Sequence, residues 1–231
     1  MATDRFAELA DLCVVPEPEP EPEQVDDSGG GGGQGTAEAE FWPMRAKLHD
    51  IQQHVASIRS AQIQLLSSAF STGALREDLE NRNAQVAELS SSLRSQLRTM
   101  GAELDAAESG DPEIARRSTS HRMRRNIHVT MTVKLVNAMG LYQDLQLWFH
   151  RATKVDAQRQ LLVANPAATA EELEQVGEGS GEQIFARMIA RGQAAAALED
   201  VQQKHATIVQ IERDVAEVHE LMVELAEVSE Q

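Results

Sequence analysis

Aromatic side chains are scarce: five Phe, two Trp and one Tyr, 3 % of 231 residues. Sandwiches and barrels draw on aromatic and β-branched strands joined by many turns. Here turn residues are confined to a few places, so helices are the better reading. Cysteine is nearly absent. Cys13 stands alone, makes no internal disulfide, and fits a reducing compartment. Positive charge is also short, with 21 Lys and Arg against 37 Asp and Glu for a net −16. That is the wrong sign for neutralising phosphates, and it excludes nucleic acid as a partner. No apolar run reaches the ~18 residues that a bilayer span needs. The N-terminus has no basic stretch followed by an apolar block, so no secretory signal is predicted.

What is present is 42 % apolar residues in 25.3 kDa, enough for one medium domain with tails or for two small domains. Charge is unevenly spread. Residues 1–40 hold eleven acids against Arg5 alone, −10 of the net −16. Within them Pro16–Glu23 alternates strictly between Pro and Glu, and Gly29–Gly33 follows. Proline fixes φ and like charges repel, giving an extended polyproline-like rod; the glycine run is a flexible joint. Neither buries enough apolar area to offset ordering entropy, so a disordered N-terminal tail is expected.

From Glu40 the pattern turns helical. Met44, Leu48, Ile51, Val55, Ile58, Gln62 and Leu65 step by four and three, and Ser71-Thr72-Gly73 punctuates the end. A second stripe runs Leu75, Leu79, Arg82, Val86, Leu89, Leu93, Leu97, Met100 and Leu104 to Ser109-Gly110-Asp111-Pro112. A third, with Pro112 suited to a first helical turn, runs Arg124, His128, Met131, Leu135, Met139, Tyr142, Leu145 and Phe149 to about Gln160. One-faced stripes joined by short loops predict an all-α fold, an antiparallel up-down bundle of three helices over residues 40–160. Residues 161–191 break the pattern at Asn165-Pro166 and at Gly177, Gly179 and Gly181. They read as a linker with short helices at Ala170–Val176 and Glu182–Ala190.

The last segment, 192–231, carries a narrow seam. Ile208, Ile211, Val215, Val218, Met222, Leu225 and Ser229 step alternately by three and four, flanked by Glu212, Arg213, Asp214, Glu217, Glu220, Glu224, Glu227 and Glu230. A strict 3.5-residue period is that of a coiled-coil strand wanting helical partners. It must dock on its own bundle, on itself or on other chains. Periodicity leaves open a fourth helix packed permanently on the first three.

The segments Leu198-Glu199-Asp200-Val201, His205-Ala206-Thr207-Ile208, Val218-His219-Glu220-Leu221-Met222 and Glu224-Leu225-Ala226 resemble the first half of a syntaxin (Qa-type) SNARE motif. The third helix, with Arg122, His128, Met131, Leu135, Met139, Tyr142, Gln146, Arg151 and Arg159-Gln160, is similar to the last helix of the syntaxin Habc bundle. Ala168–Glu174 and Gln183-Ile184-Phe185-Ala186 resemble that family's linker. The ordered match covers roughly residues 40–231. Asp4-Arg5-Phe6-Ala7-Glu8-Leu9 resembles the syntaxin N-terminal peptide, which implies that Asp4, Arg5, Phe6, Glu8 and Leu9 in residues 1–10 bind an SM-family protein. Residues 11–39 then form a linker. Phe6 stands where many relatives carry Thr.

On that resemblance the seam residues fill the layers before the family's central glutamine, which would fall at position 232. A second half of the motif and a C-terminal membrane anchor would follow. Met222 and Ser229 depart from the family's aromatic and β-branched preferences and weaken the seam there. The resemblance implies a plasma-membrane-like Qa-SNARE that zippers with Qb-, Qc- and R-SNARE helices to dock and fuse vesicles. Its site would be the cytoplasmic face of the plasma membrane or an endomembrane, and Habc its autoregulatory domain. The alternative is a permanent helical-bundle scaffold or cytoskeletal adaptor.

Catalysis and cofactors are not indicated. His49 and His54 miss the i, i+4 spacing of a zinc helix, and His121 and His128 lie a heptad apart, about 10 Å along a helix. Cys13 has no basic or helix-start neighbour to activate it. The cluster Arg116, Arg117, Arg122, Arg124 and Arg125 reads as a solvated helix start, the alternative being attraction to acidic lipid or to the acidic SNARE segment. Gly29–Gly33 follows no predicted strand and is not a phosphate loop.

Overall fold

The computed structural model describes residues 34–67, 73–178, 184, 186–187 and 195–229. The chain divides into Met1–Thr36 and Ala37–Gln231, and the packing below belongs to the second unit. The described elements are all helical: α1 (Gln34–Ser67), α2 (Gly73–Gly110), α3 (Pro112–Arg117), α4 (Thr119–Ala164), α5 (Ala170–Gly177) and α6 (Ala195–Ser229). The all-α reading holds. Helix α1 opens upstream of Glu40, and α4 runs past Gln160 before Asn165 closes it, the Asn165 N–H donating to Leu161 O at 2.7 Å.

Local chemistry sets the ends. Ser118 caps α4, its Oγ accepting from the His121 N–H at 3.2 Å. Thr169 and Glu172 form a reciprocal capping box on α5, satisfying two N–H groups that the first turn would leave unpaired. Pro166 follows the Asn165 cap, where a helix cannot continue.

Helix directions follow from side-chain pairs. Between α2 and α4, Gln146 reaches Asn83, Ser90 reaches Met139, and Arg124 reaches Glu103. One number rises as the other falls, so the two run antiparallel. Lys47 Nζ on α1 donates to Ser92 Oγ at 2.8 Å, and Gln62 Nε2 to Gln146 Oε1 at 3.1 Å, which places α1 beside both. Helix α6 lies along α4 in the opposite sense, with Lys204 paired to Asp156 and Glu212 facing His150. The result is up-down-up-down, with the fourth long helix laid on α4 and α2.

The main core draws on all four long helices, including Ile51, Ile58, Val86, Leu93, Leu97, Leu135, Met139 and Phe149, with Ile211 and Val218 from α6. A satellite core holds Ala157, Leu161, Val176, Ile184 and Ile208. It seats α5 and Ile184 on the end of α4 and on the start of the α6 seam. Two predicted stripe positions turn out differently. Arg82 pairs with Asp78 at 2.8 Å at the border while its neighbour Asn83 turns inward. Arg124 pairs with Glu103 at 2.8 Å, leaving His128 as the first fully inward residue of the α4 stripe. A guanidinium at a stripe border reaches a carboxylate and water more cheaply than it enters a core.

Candidate functional site: the seam of the last helix

Ile208, Ile211 and Val218 are 0 %, 3 % and 2 % exposed. Val215, Leu221 and Met222 are half-buried and packed against the main core. Spacings of three and four bring these side chains to one face of α6, and that face meets α2 and α4. On the outer side Val223 remains 51 % exposed. Leu225 and Ser229 belong to the helix, but their side chains fall outside the described residues, as does the whole predicted peptide Asp4, Arg5, Phe6, Glu8 and Leu9.

A polar chain crosses the bundle beside the seam. Gln62 Nε2 on α1 donates to Gln146 Oε1 on α4 at 3.1 Å, Gln146 Nε2 to Asn83 Oδ1 on α2 at 3.2 Å, and Asn83 Nδ2 to Asp214 Oδ2 on α6 at 2.6 Å. Gln210 Nε2 donates to the other Asp214 oxygen at 3.0 Å. Every amide passes its hydrogen toward Asp214, so one carboxylate terminates a chain through four helices. Burial raises the Asp214 carboxyl above its ordinary value. The Gln210 and Asn83 amides oppose that shift, and the Glu217 and Glu80 charges add to it. Burial likewise pushes the neighbouring Tyr142 hydroxyl up. Sequence reading missed Asn83 and Asp214. The available signal was Gln62, a polar residue on an otherwise apolar stripe, with Gln146 one turn beyond Tyr142.

Two contacts at the border of the α4–α6 seam complete the site. Lys204 Nζ pairs with Asp156 Oδ2, and His150 Nε2 lies 3.5 Å from Glu212 Oε1. The site is therefore a helix-on-helix surface, greasy at its centre and charged at its edges.

The histidines and arginines do separate structural work. His128, 8 % exposed, sends Nε2 to Leu97 O at 3.1 Å. This is possible because Gly101 has no side chain: a Cβ there would sit 3.2 Å from that nitrogen. Burial holds the imidazole pKa below its ordinary value, partly countered by the Leu97 bond. His121 Nε2 lies 3.0 Å from Glu108. Among the described residues no group of three His, Cys, Asp or Glu converges as a metal site. Arg124 pairs with Glu103 at 2.8 Å, and Arg125 with Glu108 and Asp105 at 2.9 and 3.5 Å. This part of the predicted basic cluster thus faces the acidic last turns of α2. The Arg116 side chain lies outside the described residues. No described helix is long and apolar enough to cross a membrane.

Comparison with known proteins bears on the same elements. A family model described as Syntaxin matches residues 39–189, which takes in the three-helix bundle and the linker and stops before α6. Syntaxin-4 of Bos taurus is 22 % identical over 186 residues, covering 79 % of this chain and 61 % of its own length. The chain thus spans about three fifths of that relative. With most of its length, from the first bundle helix through the linker helix α5, matched by one family, this protein belongs to the syntaxin family.

Proposed function

We propose that the chain is a Qa-SNARE of a target membrane, seen with its zipper strand folded back on its regulatory head. The observation that carries this reading is the heptad seam of α6, seated on α2 and α4 through Ile211, Val215 and Val218. That surface is adhesive toward helices of the same geometry. Released from the bundle, it pairs with Qb-, Qc- and R-SNARE helices in a parallel four-helix coil. Burial of successive apolar layers supplies the work that draws two bilayers together. The activity is mechanical, and no bond is made or broken. Residues 40–160 serve as the autoregulatory domain, since α6 cannot face its own bundle and foreign helices at once. The predicted peptide Asp4–Leu9 binds an SM-family protein, and the setting is the cytoplasmic face of the plasma membrane or an endomembrane.

The half-burial of Val215, Leu221 and Met222 supports a detachable strand, because side chains at a helix-on-helix border leave water with less gain than core residues. The competing reading is a permanent scaffold or cytoskeletal adaptor, which the complete burial of Ile208 would suit. Replacing Val215 and Val218 together by Asp separates the two. Binding to partner SNARE helices, followed by native gel and calorimetry, should disappear while the melting of the 40–160 bundle is retained. Undiminished binding would overturn the SNARE reading.

A further inference from the structure

The α6 seam alone does not specify where along the groove the helix sits. Ile208, Val215 and Met222 occupy one repeating position and Ile211, Val218 and Leu225 the other, so sliding α6 by seven residues replaces apolar layers with apolar layers. Ile184 and Ala195 are 11 positions apart in sequence, and a fully extended chain of that separation spans up to about 38 Å. Chain length therefore does not forbid such a slide, a displacement of about 10 Å.

We infer that the polar pairs Asp214–Asn83 and Lys204–Asp156 are the specificity determinants that hold α6 in one register and select this helix over others with an equally greasy seam. Advancing α6 by one heptad puts Leu221 against Asn83 and Ile211 against Asp156, and sets His219 opposite His150. The amide chain from Gln62 then ends on a hydrocarbon, and the Asp156 carboxylate loses its ammonium. Retreating by one heptad offers Thr207, Ala197 and His205 at those places; the threonine oxygen can accept from Asn83, but alanine gives Asp156 no donor. Asn83, Asp214, Lys204 and Asp156 are half-buried, and a polar group turned onto hydrocarbon loses more than its matched pair contributes, so the polar pairs act mainly by excluding wrong arrangements, as a single polar layer does in a coiled coil. The inference stands on the folded-back packing and holds whether or not α6 later engages other chains.

The test uses the full chain with Cys13→Ser, and spin labels on two exposed positions, Val133→Cys of α4 and Ala216→Cys of α6, read by pulsed dipolar spectroscopy. The parent should show one narrow distance. A variant with Asn83→Leu, Asp214→Leu, Asp156→Ala and Lys204→Ala, which keeps every apolar layer, should add a second distance displaced by about 10 Å along the axis in roughly a tenth or more of the molecules. Asp214→Asn, which still offers an acceptor oxygen to Asn83, should keep the single distance. One unchanged narrow distance in the fourfold variant would overturn the inference. So would a second register appearing equally in Asp214→Asn.

Discussion

Truncating Ile211 to alanine measures how separately the last helix is held. Ile211 of α6 is 3 % exposed and belongs to the main core. The change removes three carbons, about 2.4 kcal/mol at ~0.8 kcal/mol per methylene, and leaves a cavity that adds to the loss. The whole effect is about 2–4 kcal/mol. If α6 opens as its own unit, that energy is subtracted from its opening free energy alone. Native-state hydrogen exchange should then show the amides of 204–223 losing protection by roughly 30- to 900-fold, at ~1.36 kcal/mol per decade. Amides of 131–149 in α4, which also pack on α1 and α2, should change far less. Val223→Ala, at a site 51 % exposed, should stay within about 0.5 kcal/mol. Equal loss of protection in α6 and in the inner turns of α4 would refute the reasoning, because it would make the last helix an inseparable part of one core.

Other outcomes follow from the same structure. Burial beneath Gly101 lowers the His128 pKa, while the unfolded chain takes up a proton near pH 6.5. Its contribution to stability is therefore complete above that pH and is lost as the pH falls from there toward the depressed folded value, by at most about 1.4 kcal/mol per pH unit. Chemical denaturation of His128→Gln should lack that portion of the slope, and identical slopes would contradict the assignment. A Cβ at Gly177 would meet Lys154 Cε and Cγ at 2.7 and 2.8 Å and Gln158 Nε2 at 2.9 Å, so Gly177→Val should lift α5 from α4. The cost is about 1–3 kcal/mol, seen as faster exchange over 170–177 with the main bundle unchanged. Deleting residues 1–10 should weaken SM-protein binding at unaltered helicity; unchanged affinity would make that segment only an acidic extension.

Much of the architecture was legible because helical periodicity is a local property. Apolar residues three and four apart share a face whatever the helix later meets, so the stripes through Leu93, Leu135 and Ile211 announced helices and their buried sides. The Asn165-Pro166 stop and the capping-box residues Thr169 and Glu172 are equally local, which is why the linker helix at Ala170 was readable. Errors gathered at stripe borders. Arg82 and Asn83 are adjacent, and which of them turned inward depended on Asp214, far away in sequence and contributed by another helix.

The sequence by itself determined that the last segment has a coiled-coil seam, since that is written in spacing. It left open what the seam covers, because own bundle, second copy and foreign helix present the same kind of apolar groove. Only the tertiary structure decided this. It laid α6 antiparallel on α4, joined Ile208 to the satellite core with Val176 and Ile184, and ended the amide chain from Gln62 on Asp214. The physical reason is that hydrophobic attraction is non-directional and proportional to area, whereas the pairing of buried polar groups requires particular atoms to meet within about 3 Å.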